Sequence, residues 1–125
     1  MAARDEAIAG AIANTARIFG VPVLGMAFTA HETAYRKKGV AMICEFYADL
    51  AYDGEGNLIL SRVHDAVDPA QAAARVIRVM REHVVATTSG RDIPVRAETV
   101  CVHSDTPAAV AIAAELAKTL RQQTA

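Results

Sequence analysis

The 125-residue sequence has no surplus of positive charge: thirteen Lys plus Arg stand against fourteen Asp plus Glu, for a formal net charge of −1. Without a basic excess to neutralise phosphates, neither nucleic acid nor an anionic membrane surface is an expected partner. Long apolar runs are missing as well. None approaches the roughly 18 to 20 residues that a membrane span needs. The opening Met1-Ala-Ala-Arg-Asp-Glu6 is too polar and acidic for a secretory signal, so the chain is expected in the cytoplasm. Cysteine is scarce. Cys44 and Cys101 each sit in an apolar run without CxxC spacing, which predicts reduced, buried thiols rather than a disulfide or zinc knuckle. There is no internal repeat, linker or low-complexity stretch. What remains is an ordinary globular composition, 53% hydrophobic and 22% charged, read as one domain over residues 1–125.

Residues Arg4 to Phe19 carry Ile8, Ile12, Ala16 and Phe19 at helical spacing, and Gly20 with Pro22 ends that helix. The apolar run Val21 to Phe28 predicts a strand covered on both faces. Thr29 to Lys38 reads as a short helix, with Arg36, Lys37 and Lys38 near the negative end of its dipole and Gly39 as a left-handed stop. A second strand follows over Val40 to Phe46. Between Tyr52 and Leu58 the turn formers DGEGN force a loop. These glycines do not lead from a strand into a helix as a phosphate loop does, so Gly54 and Gly56 are turn residues.

Asp68-Pro69-Ala-Gln71 combines an N-cap acid, a proline at the first helical position and a glutamine at the third. It predicts a helix with Ala73, Ile77, Met80 and Val84 on one face. Val84 to Arg96 suggests a hairpin turning at Ser89-Gly90, with Pro94 restricting its second arm to an edge. Thr99 to His103 is a third apolar strand. Thr106-Pro107 starts a last helix with Val110, Ala113, Leu116 and Leu120 inward. The alternation argues for an α/β layer of mainly parallel strands with one small hairpin. Three parallel strands make a thin sheet whose outer edges call for cover by another element or chain.

In parallel α/β folds, ligands meet the loops after the strands. Thr29, His31 and Glu32 follow the first strand; Glu45, Asp49 and Tyr52 end or follow the second; His103, Ser104 and Asp105 follow the third. Two carboxylates beside a histidine suit general acid–base catalysis, metal binding or the orienting of a water. Asp105 and Asp49 read equally well as a helix cap and a solvated loop acid. Glu45 is less ordinary, because an unpaired carboxylate in an apolar strand is costly to bury. His31, His64 and His83 have no ligand spacing such as HExxH and read as surface or capping residues, so no metal ligand set is assigned.

Taken together, the motifs resemble the second half of the LamB/YcsF family, the A subunit of bacterial ATP-dependent 5-oxoprolinase. The family's E-x-F-A-D-R-x-Y is similar to Glu45-Phe-Tyr-Ala-Asp49-Leu-Ala-Tyr52, followed by an acidic glycine turn and L-V-P-R, like Asp53 through Arg62. Its T-I-C-V-H-G-D-T-P is similar to Thr99-Val-Cys-Val-His103-Ser104-Asp105-Thr106-Pro107, and V-G-L-A-G-S to Leu24 through Thr29. The resemblance implies part of an irregular (β/α) barrel of the glycoside hydrolase/deacetylase type, with the opening half, including its N-A-D-x-G-E strand, absent from this chain. It further implies a component of a hydrolase that opens a cyclic amide, 5-oxoproline to glutamate, with ATP consumed in the assembled complex.

On this reading Glu45, Asp49, His103 and Asp105 are catalytic candidates, and Thr29, Tyr52, Arg62 and Ser104 substrate-binding candidates. The implied partners are a companion subunit supplying the missing half, or a homo-oligomer, together with other 5-oxoprolinase subunits. Three positions depart from the family pattern. Its motif arginine is Leu50, which cannot supply an anion-binding fork; the proline and arginine of L-V-P-R align with Leu60 and Ser61, leaving Arg62 one residue out of register; and its glycine is Ser104. A non-catalytic, partner-binding half-barrel is therefore the alternative, and a free-standing α/β ligand-binding domain a third reading.

Overall fold

A computed structural model of the chain describes residues 1–63 and 65–124; the reading of His64 lies outside them. After a single 3-10 turn, Ala2–Arg4, the elements run α1 (Glu6–Phe19), β1 (Val23–Gly25), α2 (Ala30–Lys37), β2 (Met42–Tyr47), β3 (Ala51–Tyr52), β4 (Leu58–Ile59), α3 (Pro69–Glu82), β5 (Val84–Ala86), β6 (Asp92–Pro94), β7 (Thr99–Cys101) and α4 (Ala109–Thr124). The main sheet has the order β1-β2-β7, with β1 parallel to β2 in the register Val23↔Met42 to Gly25↔Cys44. Short antiparallel pairs β3/β4 and β5/β6 flank the DGEGN and Ser89-Gly90 turns. The chain divides into two compact units, residues 1–46 with 95–99 and residues 47–94 with 100–125.

In the first unit Asp5 caps α1, accepting from the N–H groups of Ala7 and Ile8, and Gly20 ends it at φ 64°. The buried face is not the expected one. Ala9, Ala13 and Ala16 are buried, while Ile8, Ile12 and Phe19 are exposed. Alanine's small side chain lets α1 approach α2 closely, and Ala9 and Ala13 pack on Ala34 and Tyr35, with Val23 and Met42 of the sheet against them. Full burial of a side chain as large as Tyr35 contributes on the order of 2–3 kcal/mol. The expectation of strands covered on both faces holds for one face only: Leu24 and Ile43, paired across β1 and β2, are 51% and 36% exposed.

β1 is shorter than its apolar run because the chain turns to local bonds after Gly25. Met26 N–H donates to His31 Nδ1 at 3.1 Å, the Thr29 hydroxyl donates to Met26 O at 2.7 Å, and Phe28 N–H donates to Glu32 at 2.8 Å. In the second unit Asp68 caps α3 by accepting from Gln71 N–H at 3.0 Å, as its sequence predicts. The helix stops at His83, in a left-handed conformation at φ 56°, so Val84 belongs to β5 and not to the helix. Its buried face is Ala72, Ala73, Val76 and Val79, with Met80 exposed. On α4 the inward residues are Ile112, Leu116 and Thr119, whereas Val110 and Ala113 are exposed. The helix also starts later than expected: Thr106-Pro107 lies in a turn, and Ala108 at φ 63° precedes the first helical residue.

Candidate functional site

Six of the eight candidate site residues, Asp49, Tyr52, Arg62, His103, Ser104 and Asp105, lie in the second unit, and two of them meet where the chain leaves β2 and β7. β2 ends at Tyr47, and β7 ends at Cys101, before the expected His103; Ala48 N–H donates to Cys101 O at 3.1 Å, and beyond that bond the backbone turns. Asp49 lies in that first turn with its side chain fully buried. A lone carboxylate there would cost several kcal/mol, and three groups from the segment after β7 compensate. His103 N–H donates to Asp49 Oδ2 at 2.7 Å, the Thr106 hydroxyl donates to the same oxygen at 2.7 Å, and His103 Nδ1 lies 3.0 Å from Oδ1 and 3.2 Å from Oδ2. Burial, the largest single influence, opposes ionisation of Asp49; the His103 N–H, the Thr106 hydroxyl and the His103 ring together outweigh it and hold the carboxyl below its ordinary range.

An ionised carboxylate only accepts hydrogen bonds, so the ring nitrogen facing it carries the proton. His103 is thereby set with Nδ1–H toward Asp49. The imidazole stacks on Tyr47, with ring centroids 5.9 Å apart, and its side chain keeps 31% of its surface open to solvent. A buried acid behind a half-exposed imidazole is the arrangement of a general base able to take a proton from water.

Of the residues singled out in the sequence, the structure brings Asp49 and His103 into direct contact. Ser104 and Asp105 are exposed in the turn after His103, and Asp105 does not cap α4, which starts later. Tyr52 is buried, and its hydroxyl accepts from Tyr47 N–H at 3.1 Å, bracing the Asp49 turn. Arg62 is exposed in a bend after β4. Thr29 and Glu45 belong to the first unit: Thr29 caps α2 by accepting from His31 N–H at 3.2 Å, and Glu45 is half-buried in β2 on the face of Ile43. Leu50 is buried among apolar side chains. His83 is the exposed cap of α3, and Cys44 and Cys101 are free thiols, the former buried and the latter half-buried.

Thr106 and Arg75 escaped the sequence reading. Thr106 passes for a helix start because a proline follows it. Arg75 donates Nη1 to Ala48 O and Nη2 to Leu50 O, both at 2.7 Å; the available signal was an arginine on an otherwise apolar helix stripe. Among the described residues no three His, Cys, Asp or Glu side chains gather into a metal-binding group, and no helix is long and apolar enough to cross a membrane. The glycine-rich turn does not fit a nucleotide's phosphates. Asp53 Oδ1 already accepts from the N–H groups of Glu55 and Asn57, both at 2.9 Å, placing negative charge where a phosphate would need donors.

A parallel-strand α/β fold here presents an Asp-buttressed histidine in the turns after its strands. More particularly, the chain belongs to the LamB/YcsF family, whose profile spans residues 1–125. It is 37% identical over 120 residues to the 5-oxoprolinase A subunit of Chloroflexus aggregans, covering 93% of this chain and 48% of that protein. With the second of the numbered 5-oxoprolinase A subunits of Pseudomonas syringae pv. tomato it shares 45% identity over 75 residues, covering 60% of this chain and 30% of that protein. The crystal structure of the lactam utilization protein from Thermus thermophilus matches at TM-score 0.84 and 31% identity, over 98% of this chain and 50% of that one. The chain thus spans about half the length of the relatives it matches along most of its own.

Proposed function

We propose that the chain is the half of a 5-oxoprolinase-type hydrolase that carries the general base, corresponding to the second half of the family's barrel and acting in the cytoplasm on a small cyclic amide. The observation that carries this reading is the Asp49–His103 pair. His103 Nε2 takes a proton from a water whose oxygen attacks the lactam carbonyl carbon. The ring C–N bond then breaks, His103 returns the proton to the leaving nitrogen, and the second water hydrogen follows, so that 5-oxoproline and water become the carboxylate and ammonium of glutamate. Of the other residues expected in the site, Tyr52, Arg62, Ser104 and Asp105 belong to the same unit as the pair and would line or close it around the substrate. No step passes through ATP on this chain; its consumption belongs to the companion subunits of the assembly.

The exposed pair Leu24 and Ile43 and the open edge of β1 support a companion polypeptide or a second copy that completes the fold. A second reading, a partner-binding half without its own chemistry, draws on Leu50, whose buried alkyl side chain stands where the family pattern has an arginine. The two separate in one assay. Companion subunits, ATP and 5-oxoproline should yield glutamate only when this chain is added; glutamate formed at the same rate without it would favour the second reading. Native mass spectrometry of the chain from its own cells identifies the companion to add, through a mass that includes a second, different polypeptide.

A further inference from the structure

The Asp49 carboxylate is held by three donors, but the backbone that presents it is held by a residue the proposed reaction never touches. Arg75 lies in the middle of α3. Its two terminal nitrogens bond the carbonyl oxygens of Ala48 and Leu50, the residues on either side of Asp49. Position 75 falls on the buried stripe, one turn after Ala72 and one turn before Val79. An alkyl side chain would fill that stripe without the desolvation penalty of a guanidinium, several kcal/mol before compensation. Burial indeed loosens Arg75's hold on its proton, while Tyr52 and Asp49 act in the opposite sense, so the guanidinium sits in the field of the acid it brackets.

We propose that Arg75 is a positioning residue for the Asp49–His103 pair: its planar fork clamps the Ala48 and Leu50 carbonyls, keeping the Asp49 carboxylate within reach of His103 Nδ1 and the ring in its Nδ1–H tautomer. The purpose of this clamp rests on the lactam-opening reading, whereas its effect on the imidazole does not. Two parallel donors are needed because the two carbonyls straddle one residue. A lysine ammonium, a point charge on a flexible stem, satisfies one of them at a time.

The test is the nitrogen-15 spectrum of His103 in the intact chain, recorded at alkaline pH where imidazoles are neutral and the two tautomers are resolved. Wild type is expected to show the Nδ1–H form in excess. In Arg75→Met the ratio of the two forms should fall about tenfold or more, the equivalent of losing one charge-assisted hydrogen bond, with Arg75→Lys intermediate. In the reconstituted assembly the same variants should lower kcat with little change in KM. A folded Arg75→Met with an unchanged tautomer ratio overturns the proposal. If that variant does not fold, Arg75→Lys, which keeps charge and stem, decides: an unchanged ratio there equally overturns it. Absence of glutamate with wild type would sink the functional reading while leaving the spectrum interpretable.

Discussion

Replacing Asp49 with asparagine tests the site more finely than deleting it. Asparagine can keep its oxygen where Asp49 Oδ2 lies and continue to accept from His103 N–H and the Thr106 hydroxyl. Its amide then faces His103 Nδ1 with an N–H, so the imidazole must move its proton to Nε2 to become the acceptor. Two charge-assisted bonds become neutral, a loss of about 1 kcal/mol each. Asp49→Asn should therefore cost at most about 2 kcal/mol, or about 8 °C in Tm for a chain of this size. Asp49→Ala leaves two buried donors without an acceptor, while the half-exposed ring can turn to water. At roughly 1–3 kcal/mol per orphaned donor the cost is about 4 kcal/mol, or about 16 °C. In turnover the order reverses its meaning: Asp49→Asn, although the better folded variant, should lose about 10⁴-fold because its histidine holds the wrong tautomer. Circular dichroism melts and the glutamate assay read both effects. Equal melting of the two variants, or near-normal turnover by Asp49→Asn, would refute the reasoning.

Three further outcomes follow from the first unit. Gly25→Ala should destabilise by about 1–3 kcal/mol in urea unfolding, because a Cβ there would lie 2.9 Å from Met42 Sδ, 3.1 Å from Tyr35 Cε2 and 3.2 Å from His31 Cβ; an unchanged midpoint would mean that these side chains move freely. Glu32 is held down to about 2, first by the Arg96 guanidinium and then by Phe28 N–H. A depressed carboxyl stabilises the fold above its unfolded value of 4.5 and loses that contribution as pH falls toward 2. The melting gap between wild type and Glu32→Gln should thus be present at neutral pH and close in acid; a gap independent of pH would contradict the ion pair. Burial pushes the Cys44 thiol up, more than its contact with Arg96 lowers it, so alkylation at neutral pH should wait for unfolding, and rapid labelling of the native chain would show otherwise.

The legible parts of the fold were those written in adjacent residues. Asp68, Pro69 and Gln71 announce the start of α3, Gly20 and Gly39 the ends of two helices, and DGEGN its turn, because caps and turns are closed by neighbours in sequence. Helix phase was less legible. A hydrophobic scale favours Ile8 and Ile12 as the inner face of α1, but close helix packing selects Ala9 and Ala13. The uncovered face of Leu24 and Ile43 likewise reads as core, since apolar runs do not say what lies against them. In the site, Asp49 and His103 stood out as polar residues after apolar strands. Thr106 and Arg75 did not, since their roles depend on bonds to positions 57 and 25–27 residues away, which no local pattern encodes.

The most direct test of the account is glutamate formation from 5-oxoproline by the reconstituted assembly in which this chain carries His103→Ala. The substitution keeps the backbone N–H at position 103 and the Thr106 hydroxyl on Asp49, so the chain should still fold and assemble, with about 1.5–3 kcal/mol lost with the ring's bond to Asp49, while ring opening is abolished. Unchanged turnover in that variant would remove His103, and with it the general-base role, from the chemistry of this chain.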